Sequence, residues 1–213
     1  MKKIKDHSLY LIISEEYGRG RSALEIAKSA IAGGVDIIQM REKKKSKAEL
    51  IELGIKLAEL CKKERVPFIV NDDPVLAKKV DADGVHMGEE DVKKHPLAET
   101  RRIMGSDKII GLSTHSIKKV REASPGDIDY ITFGPIFPTT VKDYSIGTKD
   151  IKKVLEITEK PIFFIGGIDI SNISEILKLG GKNIAVIRGI LQADDITEVT
   201  KKFKEKIYQR RKG

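Results

Sequence analysis

Short apolar runs alternate with longer stretches of helical periodicity along the whole chain. The runs are continuously apolar, which is typical of parallel strands buried on both faces. The pattern predicts eight strands, at residues 9–13, 36–40, 67–71, 84–87, 109–113, 130–134, 161–167 and 183–188.

The intervening stretches predict amphipathic helices. The clearest covers residues 47–64, where one face carries Leu50, Leu53, Leu57, Leu60 and Cys61. Cys61 is the only cysteine of the chain and is expected to be a small core residue. Another helix is expected to begin near Ser171 and to stop at Gly180–Gly181.

Eight strand–helix repeats in 213 residues predict one (β/α)8 TIM barrel, a parallel eight-stranded α/β domain that spans residues 1–213. A doubly wound sheet is the alternative. It would need a glycine-rich phosphate loop after the first strand, and "IISEEYGRGRS" lacks the G-x-G-x-x-G pattern.

Charge and hydropathy limit the classes of partner that the sequence predicts. The net charge is +8, but most lysines and arginines alternate with acidic residues, as on a solvated surface. The basic C-terminal run "KKFKEKIYQRRKG" is expected to be a last amphipathic helix, with no nucleic-acid role. No apolar stretch is long enough for a signal peptide or a membrane span, so we expect a cytoplasmic protein without a membrane partner.

Polar residues follow almost every predicted strand. Because the chemistry of such barrels lies at the carboxyl ends of the strands, we expect these residues to share one rim. They are Gln39, Arg41, Lys43, Asn71, Asp72, Asp73, His86, Glu89, Glu90, Asp91, Ser113, Thr114, His115, Thr139, Thr140, Lys142, Gly166, Gly167, Arg188 and Gly189.

Two anion sites and one cation site are predicted on that rim. Arg41 and Lys43 suit a phosphate or diphosphate, although they are also compatible with ordinary loop charges. Glycines near the ends of strands 7 and 8 favour a second phosphate, or they only relieve crowding at a turn. Two phosphorylated substrates would favour a transferase over an isomerase.

Asp72 and Asp91 follow neighbouring strands and suit Mg²⁺. The "NDD" before Pro74 is also compatible with a helix cap, a role that Asp73 fits better. His86 has no second zinc-type ligand near it in the sequence and is expected to be structural.

The chain resembles the thiamine-phosphate synthase family over nearly its whole length. The resemblance rests on "QMREK" (39–43), "ND" (71–72), "DADGVHMGEED" (81–91), "IIGLSTHS" (109–116), "GPIFPTTVK" (134–142) and "IGGI" (165–168). It implies transfer of a pyrimidinylmethyl group from its diphosphate to a thiazole phosphate, with release of pyrophosphate. Both substrates are small molecules, and the implied cofactor is Mg²⁺.

The resemblance also implies the role of each site residue. Arg41, Ser113 and Lys142 would be catalytic, and Asp72 and Asp91 would bind Mg²⁺. The substrates would be bound by Gln39, Arg41, Lys43, Asn71, Ser113, Thr139, Thr140, Val141, Lys142, Gly167, Ile187 and Arg188.

Three positions depart from the family pattern. Val141 replaces a usual threonine, Arg188 a usual serine, and Glu89 a usual glutamine. We expect Arg188 to compensate by pairing with the thiazole phosphate. A thiazole tautomerase of the same family, with His115 transferring protons, and a non-catalytic phosphometabolite-binding regulator are the alternatives. The sequence does not fix the oligomeric state.

Overall fold

Eight parallel strands close into one barrel in the computed structural model, which describes residues 4–139 and 144–209. The strands are β1 Leu9–Ile13, β2 Ile37–Met40, β3 Phe68–Asn71, β4 Gly84–Met87, β5 Ile109–Thr114, β6 Tyr130–Phe133, β7 Ile162–Phe164 and β8 Asn183–Val186. Each strand pairs with its neighbours in sequence, and β1 pairs with β8. The closed barrel confirms the predicted fold and excludes the doubly wound sheet.

Helices surround this barrel. They are α1 Ala23–Ala32, α2 Lys47–Glu64, α3 Pro74–Lys79, α4 Glu89–Lys94, α5 Leu97–Met104, α6 Ile117–Ala123, α7 Ile151–Ile157, α8 Ile173–Lys178, α9 Arg188–Leu191 and α10 Ile196–Gln209, with a 3₁₀ turn at Glu15–Tyr17. The bounds of α2 are those predicted, and Cys61 is fully buried. None of the helices in the described ranges is both long and apolar enough to cross a membrane.

The helix α8 begins near its predicted start, two residues after Ser171. The helix begins at Ile173 after Asn172, and the Ser171 hydroxyl donates a hydrogen bond to Asp169 Oδ1 at 2.6 Å. Asp169 Oδ1 also accepts from the Ser171 and Asn172 N–H groups. The Ser171 hydroxyl is therefore bonded within this local turn and does not cap the helix.

Two predicted strands were too long. The predicted strand 161–167 extends past Phe164, where β7 ends, because Gly166 and Gly167 both adopt positive φ. The predicted strand 183–188 extends past Val186, where β8 ends, and Arg188 is the first residue of α9. The apolar pattern alone did not mark these ends.

Two apolar layers hold the barrel together. The larger layer lies between the strands and the helices, and the smaller one fills the barrel interior. The interior layer includes Tyr10 and Tyr130, which are fully buried. Gly111 pairs with Tyr130 across β5 and β6, and a Cβ at Gly111 would lie 2.0 Å from the Tyr130 ring. The glycine therefore makes room for a large ring inside the barrel.

Candidate active site

A cavity of about 470 Å³ opens at the carboxyl end of the barrel. Its lining includes eight of the predicted site residues, namely Gln39, Arg41, Asn71, Ser113, Thr139, Gly167, Ile187 and Arg188. Strand alternation explains the set, since Gln39 and Arg41 are two residues apart on β2 and its extension and point to the same side. Residues of the two anion sites that were predicted separately therefore line one cavity.

Asp72 lies beside this cavity in an uncommon backbone conformation. Its φ is 68°, and its N–H donates to the His86 carbonyl at 2.8 Å. Asp73 caps α3 by accepting from the Leu76 N–H at 2.8 Å, as predicted. Asp73 therefore caps the helix, and Asp72 does not. The left-handed backbone conformation of Asp72 is strained for a residue other than glycine, and such strain often occurs at functional sites.

The carboxyl groups of Asp72 and Asp91 interact directly. Burial and the neighbouring Asp91 carboxyl raise the pKa of Asp72 from 3.8 to about 6, while Lys43 and Arg41 oppose the rise. Asp91 Oδ2 also accepts from the Gly88 N–H at 3.2 Å. Two carboxyl groups held together in this way suit a hard divalent cation that would neutralise both.

Few potential metal ligands surround Asp72 and Asp91 in the described part of the chain. Within residues 4–139 and 144–209, no cluster of three or more His, Cys, Asp or Glu side chains is placed to hold a metal. Two carboxylates are nevertheless what Mg²⁺ commonly takes from a protein, with phosphate oxygens and water completing its coordination. The residues therefore fit Mg²⁺ held together with a phosphorylated substrate.

The loop after β6 is fixed against the end of β7. The Ile136 N–H donates to the Ile165 carbonyl at 2.9 Å, and the Phe137 N–H donates to the Gly166 carbonyl at 3.0 Å. A Cβ at Gly166 would lie 2.4 Å from Pro135. Glycine is therefore required for this close approach, which brings Thr139 to the cavity.

Three predicted residues lie outside the described residues. They are Thr140, Val141 and Lys142. Lys43 does not line the cavity, although its charge acts on Asp72. Lys43, Thr140 and Lys142 were predicted from the polar strand ends and Val141 from the resemblance alone, and their place at the site stays a prediction.

The structure adds aromatic residues that the apolar pattern does not single out. Tyr17 lines the cavity, and the Arg188 guanidinium lies 5.8 Å from the centroid of its ring. Tyr10 and Tyr130 lie deeper in the barrel, where their hydroxyls are 2.8 Å apart. A tyrosine at an inward strand position could have indicated these residues from the sequence, because its buried hydroxyl needs a polar partner.

His86 is structural in the sense predicted, but it also contacts the site. It is buried, and burial lowers its pKa to about 4, so the ring is neutral near pH 7. Its Nδ1 lies 3.0 Å from the Tyr130 hydroxyl and its Nε2 lies 2.9 Å from Ser113 Oγ. The histidine, which itself lines the cavity, thus connects Tyr130 in the barrel interior to Ser113.

A barrel with these residues at its rim can be compared with known proteins. A family model described as thiamine monophosphate synthase matches residues 9–190. The chain belongs to this family.

Relatives of the thiamine monophosphate synthase family match almost the whole chain. A thiamine-phosphate synthase of Halalkalibacterium halodurans is 42% identical, over 97% of this chain and 98% of its own length. Another, of Persephonella marina, is 40% identical over 93% of this chain and 95% of its own. A solved structure of thiamine phosphate pyrophosphorylase from Pyrococcus furiosus has a TM-score of 0.86 and 33% identity, and the match covers 96% of each chain.

Proposed function

We propose that this chain is a thiamine-phosphate synthase that couples a pyrimidinylmethyl diphosphate to a thiazole phosphate. The observation that supports the proposal is the cavity of about 470 Å³, which is lined by Gln39, Arg41, Asn71 and Ser113 on one side and by Thr139, Gly167, Ile187 and Arg188 on the other. Coupling two phosphorylated molecules requires such a shared space, because the reacting atoms must meet at close range.

The pyrimidine diphosphate lies on the β2 to β5 side of the cavity. Gln39 holds the pyrimidine, while Arg41, Lys43 and Asn71 bind the diphosphate. Ser113 donates to the diphosphate from the end of β5, and Lys142 supplies a further cation. A planar guanidinium and a hydroxyl donor are well matched to diphosphate oxygens.

Asp72 and Asp91 would hold Mg²⁺ beside that diphosphate. The ion would neutralise negative charge on the departing pyrophosphate. In support, the two carboxyl groups lie together and the pKa of Asp72 is raised to about 6 without a cation. At pH 7 the two carboxylates would repel each other, and a bound cation would remove that repulsion.

The thiazole phosphate lies on the β6 to β8 side. Thr139 and Gly167 contact it, together with the backbone at Ile187–Arg188, and the resemblance adds Thr140 and Val141, which lie outside the described residues. In support, α9 begins at Arg188, and Ile187, Arg188 and Gly189 all line the cavity at this point. The Arg188 guanidinium adds a charge where the family usually has a serine.

The substitution breaks the bond between the pyrimidinylmethyl carbon and the diphosphate oxygen and forms a bond from that carbon to the thiazole nitrogen. The aminopyrimidine ring delocalises positive charge, so a dissociative path is favoured. Arg41, Ser113 and Lys142 stabilise the charge that develops on pyrophosphate. The thiazole nitrogen has a lone pair, so no general base is needed.

The test is a coupled assay with both substrates, with and without Mg²⁺, following thiamine phosphate and pyrophosphate. Asp91→Ala and Lys142→Ala are each expected to lose on the order of a hundredfold or more in kcat. Lys56→Ala is the control, because Lys56 is exposed on α2 and pairs only with Glu52 among the ion pairs of the described residues. It is expected to retain full activity.

Tight binding of the thiazole phosphate without any coupling would refute the synthase proposal. Interconversion of thiazole tautomers would then favour the tautomerase, and Mg²⁺-independent binding alone would favour the regulator. The cytoplasmic location and the absence of nucleic-acid and membrane partners stay predictions from the sequence.

A further inference from the structure

A chain of buried polar side chains crosses the barrel interior beneath the cavity. Gln39 on β2 contacts the Tyr10 hydroxyl of β1, and that hydroxyl lies 2.8 Å from the Tyr130 hydroxyl of β6. Tyr130 then contacts His86 Nδ1 at 3.0 Å, and His86 Nε2 contacts Ser113 Oγ at 2.9 Å. Both ends of this chain, Gln39 and Ser113, line the cavity.

Tyr10, Tyr130 and His86 have no direct role in the proposed chemistry. Tyr10 and Tyr130 are fully buried, and His86 is 6% exposed. Apolar residues of the same size would fill the space without requiring hydrogen bonds. The polar atoms therefore need an explanation, and their contact with Gln39 and Ser113, which both line the cavity, supplies one.

The chain has a direction because each hydroxyl carries one proton. The Gln39 amide N–H donates to Tyr10. Either hydroxyl could donate in the contact between Tyr10 and Tyr130, and the role of His86 Nδ1 depends on its tautomer. The order from Tyr10 to Tyr130 to His86 Nδ1 is the one that gives both hydroxyl protons an acceptor within the chain. A neutral imidazole with Nδ1 as acceptor carries its proton on Nε2. His86 therefore donates to Ser113 Oγ.

This direction determines what each end offers to the cavity. Ser113 Oγ accepts from His86 and also lies 3.4 Å from the Thr132 hydroxyl, so its own proton is available for an anion. At the other end, no described residue donates to Gln39 Oε1, which is left as an acceptor. An aminopyrimidine presents N–H donors, and a diphosphate presents acceptors.

We propose that Tyr10, Tyr130 and His86 are positioning residues that fix Gln39 as an acceptor for the pyrimidine and Ser113 as a donor to the diphosphate. The roles at the two ends rest on the proposed function. The direction of the chain does not, because it is argued from the Gln39 N–H donor and from one proton on each hydroxyl. A reversed chain would turn Gln39 into a donor and would draw the Ser113 proton towards His86.

The direction is tested first, by ¹⁵N NMR of the imidazole nitrogens in the full-length protein at pH 7.5, with His86→Asn assigning the signals. We expect neutral His86 with its proton on Nε2. A proton on Nδ1 would overturn the proposal. This result is independent of any assay, so it separates failure of the chain from failure of the synthase function.

The effect on turnover is tested by a double-mutant cycle between Tyr130→Phe and Ser113→Ala. Tyr130→Phe removes the donor that sets the His86 tautomer, and kcat is expected to fall on the order of tenfold to a hundredfold. In the Ser113→Ala background the same change is expected to cost nothing further. An equal loss in both backgrounds would show a purely structural role and would overturn the proposal.

Two further variants separate positioning from packing. Tyr10→Phe releases Gln39 and is expected to raise KM for the pyrimidine diphosphate more than it lowers kcat. Phe163→Leu is the matched control, because Phe163 packs against both tyrosine rings at 5.2 and 5.4 Å but has no hydroxyl. It is expected to lower thermal stability and to leave kcat and both KM values unchanged.

Discussion

The guanidinium of Arg188 lies over the ring of Tyr17, 5.8 Å from the ring centroid, and both residues line the cavity. A cation on an aromatic face gains about 0.5 to 1 kcal/mol at an exposed site and keeps a defined direction. Tyr17 thus supports the side chain of Arg188 at the cavity.

Replacing Arg188 by serine should weaken binding of the thiazole phosphate. We expect Arg188→Ser to raise KM for that substrate about tenfold or more, since a charged hydrogen bond to phosphate is lost. KM for the pyrimidine diphosphate should stay the same. Steady-state kinetics with each substrate varied in turn measures both, with Arg102→Ala on the exposed surface as the control.

Tyr17 should matter through its ring. Tyr17→Leu is expected to raise the same KM a few-fold, whereas Tyr17→Phe should have little effect. A lower KM in Arg188→Ser would show instead that the arginine obstructs the thiazole site.

The carboxyl pair at Asp72 and Asp91 should make stability depend on pH when Mg²⁺ is removed. The pKa of Asp72 is about 6 in the folded protein and 3.8 ordinarily, so folding favours the protonated form. The resulting stabilisation is fully present below about pH 4 and is lost as pH rises through about 6. Above that window, Asp72→Asn should melt at a higher temperature than the unaltered protein.

Thermal melts from pH 4 to 8 in a chelator test this expectation. Burial lowers the pKa of His86 to about 4, which destabilises the fold at acid pH, but both proteins share this effect and it cancels in their difference. Added Mg²⁺ at pH 7.5 should stabilise the unaltered protein and not Asp72→Asn. Melting curves that shift in parallel at every pH would contradict the pairing.

The contact between Gly111 and Tyr130 should not tolerate a methyl group. A Cβ at Gly111 would lie 2.0 Å from the ring, and that ring is fully buried. Gly111→Ala should lower the free energy of unfolding by about 1 to 3 kcal/mol. Denaturant unfolding measures this loss, and Gly126→Ala, whose nearest neighbour would lie at 3.1 Å, should cost less.

The ion pair between Lys204 and Asp36 should contribute to stability without affecting catalysis. Lys204 is 8% exposed on α10, and Asp36 Oδ2 also accepts from the Leu9 N–H at 2.7 Å, at the amino end of the barrel. Lys204→Met keeps the apolar stem and removes the charge, at a cost on the order of 1 to 3 kcal/mol.

Unfolding experiments and the coupled assay test this pair together. We expect a lower midpoint of denaturation and unchanged kcat, because the pair lies at the opposite end of the barrel from the cavity. A large loss of kcat in a folded Lys204→Met protein would contradict that separation.

The sequence by itself determined the eight strands, their parallel arrangement and the side on which polar residues gather. These follow from local physics: continuous apolar runs form buried strands, and strand ends carry the polar residues. It also determined Asp73 as a cap, since an aspartate before a proline-initiated helix satisfies free N–H groups.

Only the tertiary structure decided which groups meet. Residues Gln39 and Ser113 are far apart in sequence and are joined by Tyr10, Tyr130 and His86 because barrel closure turns every second residue of each strand inward. The contact of Tyr17 with Arg188 likewise depends on β1 pairing with β8. Periodicity predicts that a side chain is buried, but the partner of a buried polar atom is fixed only when the barrel closes.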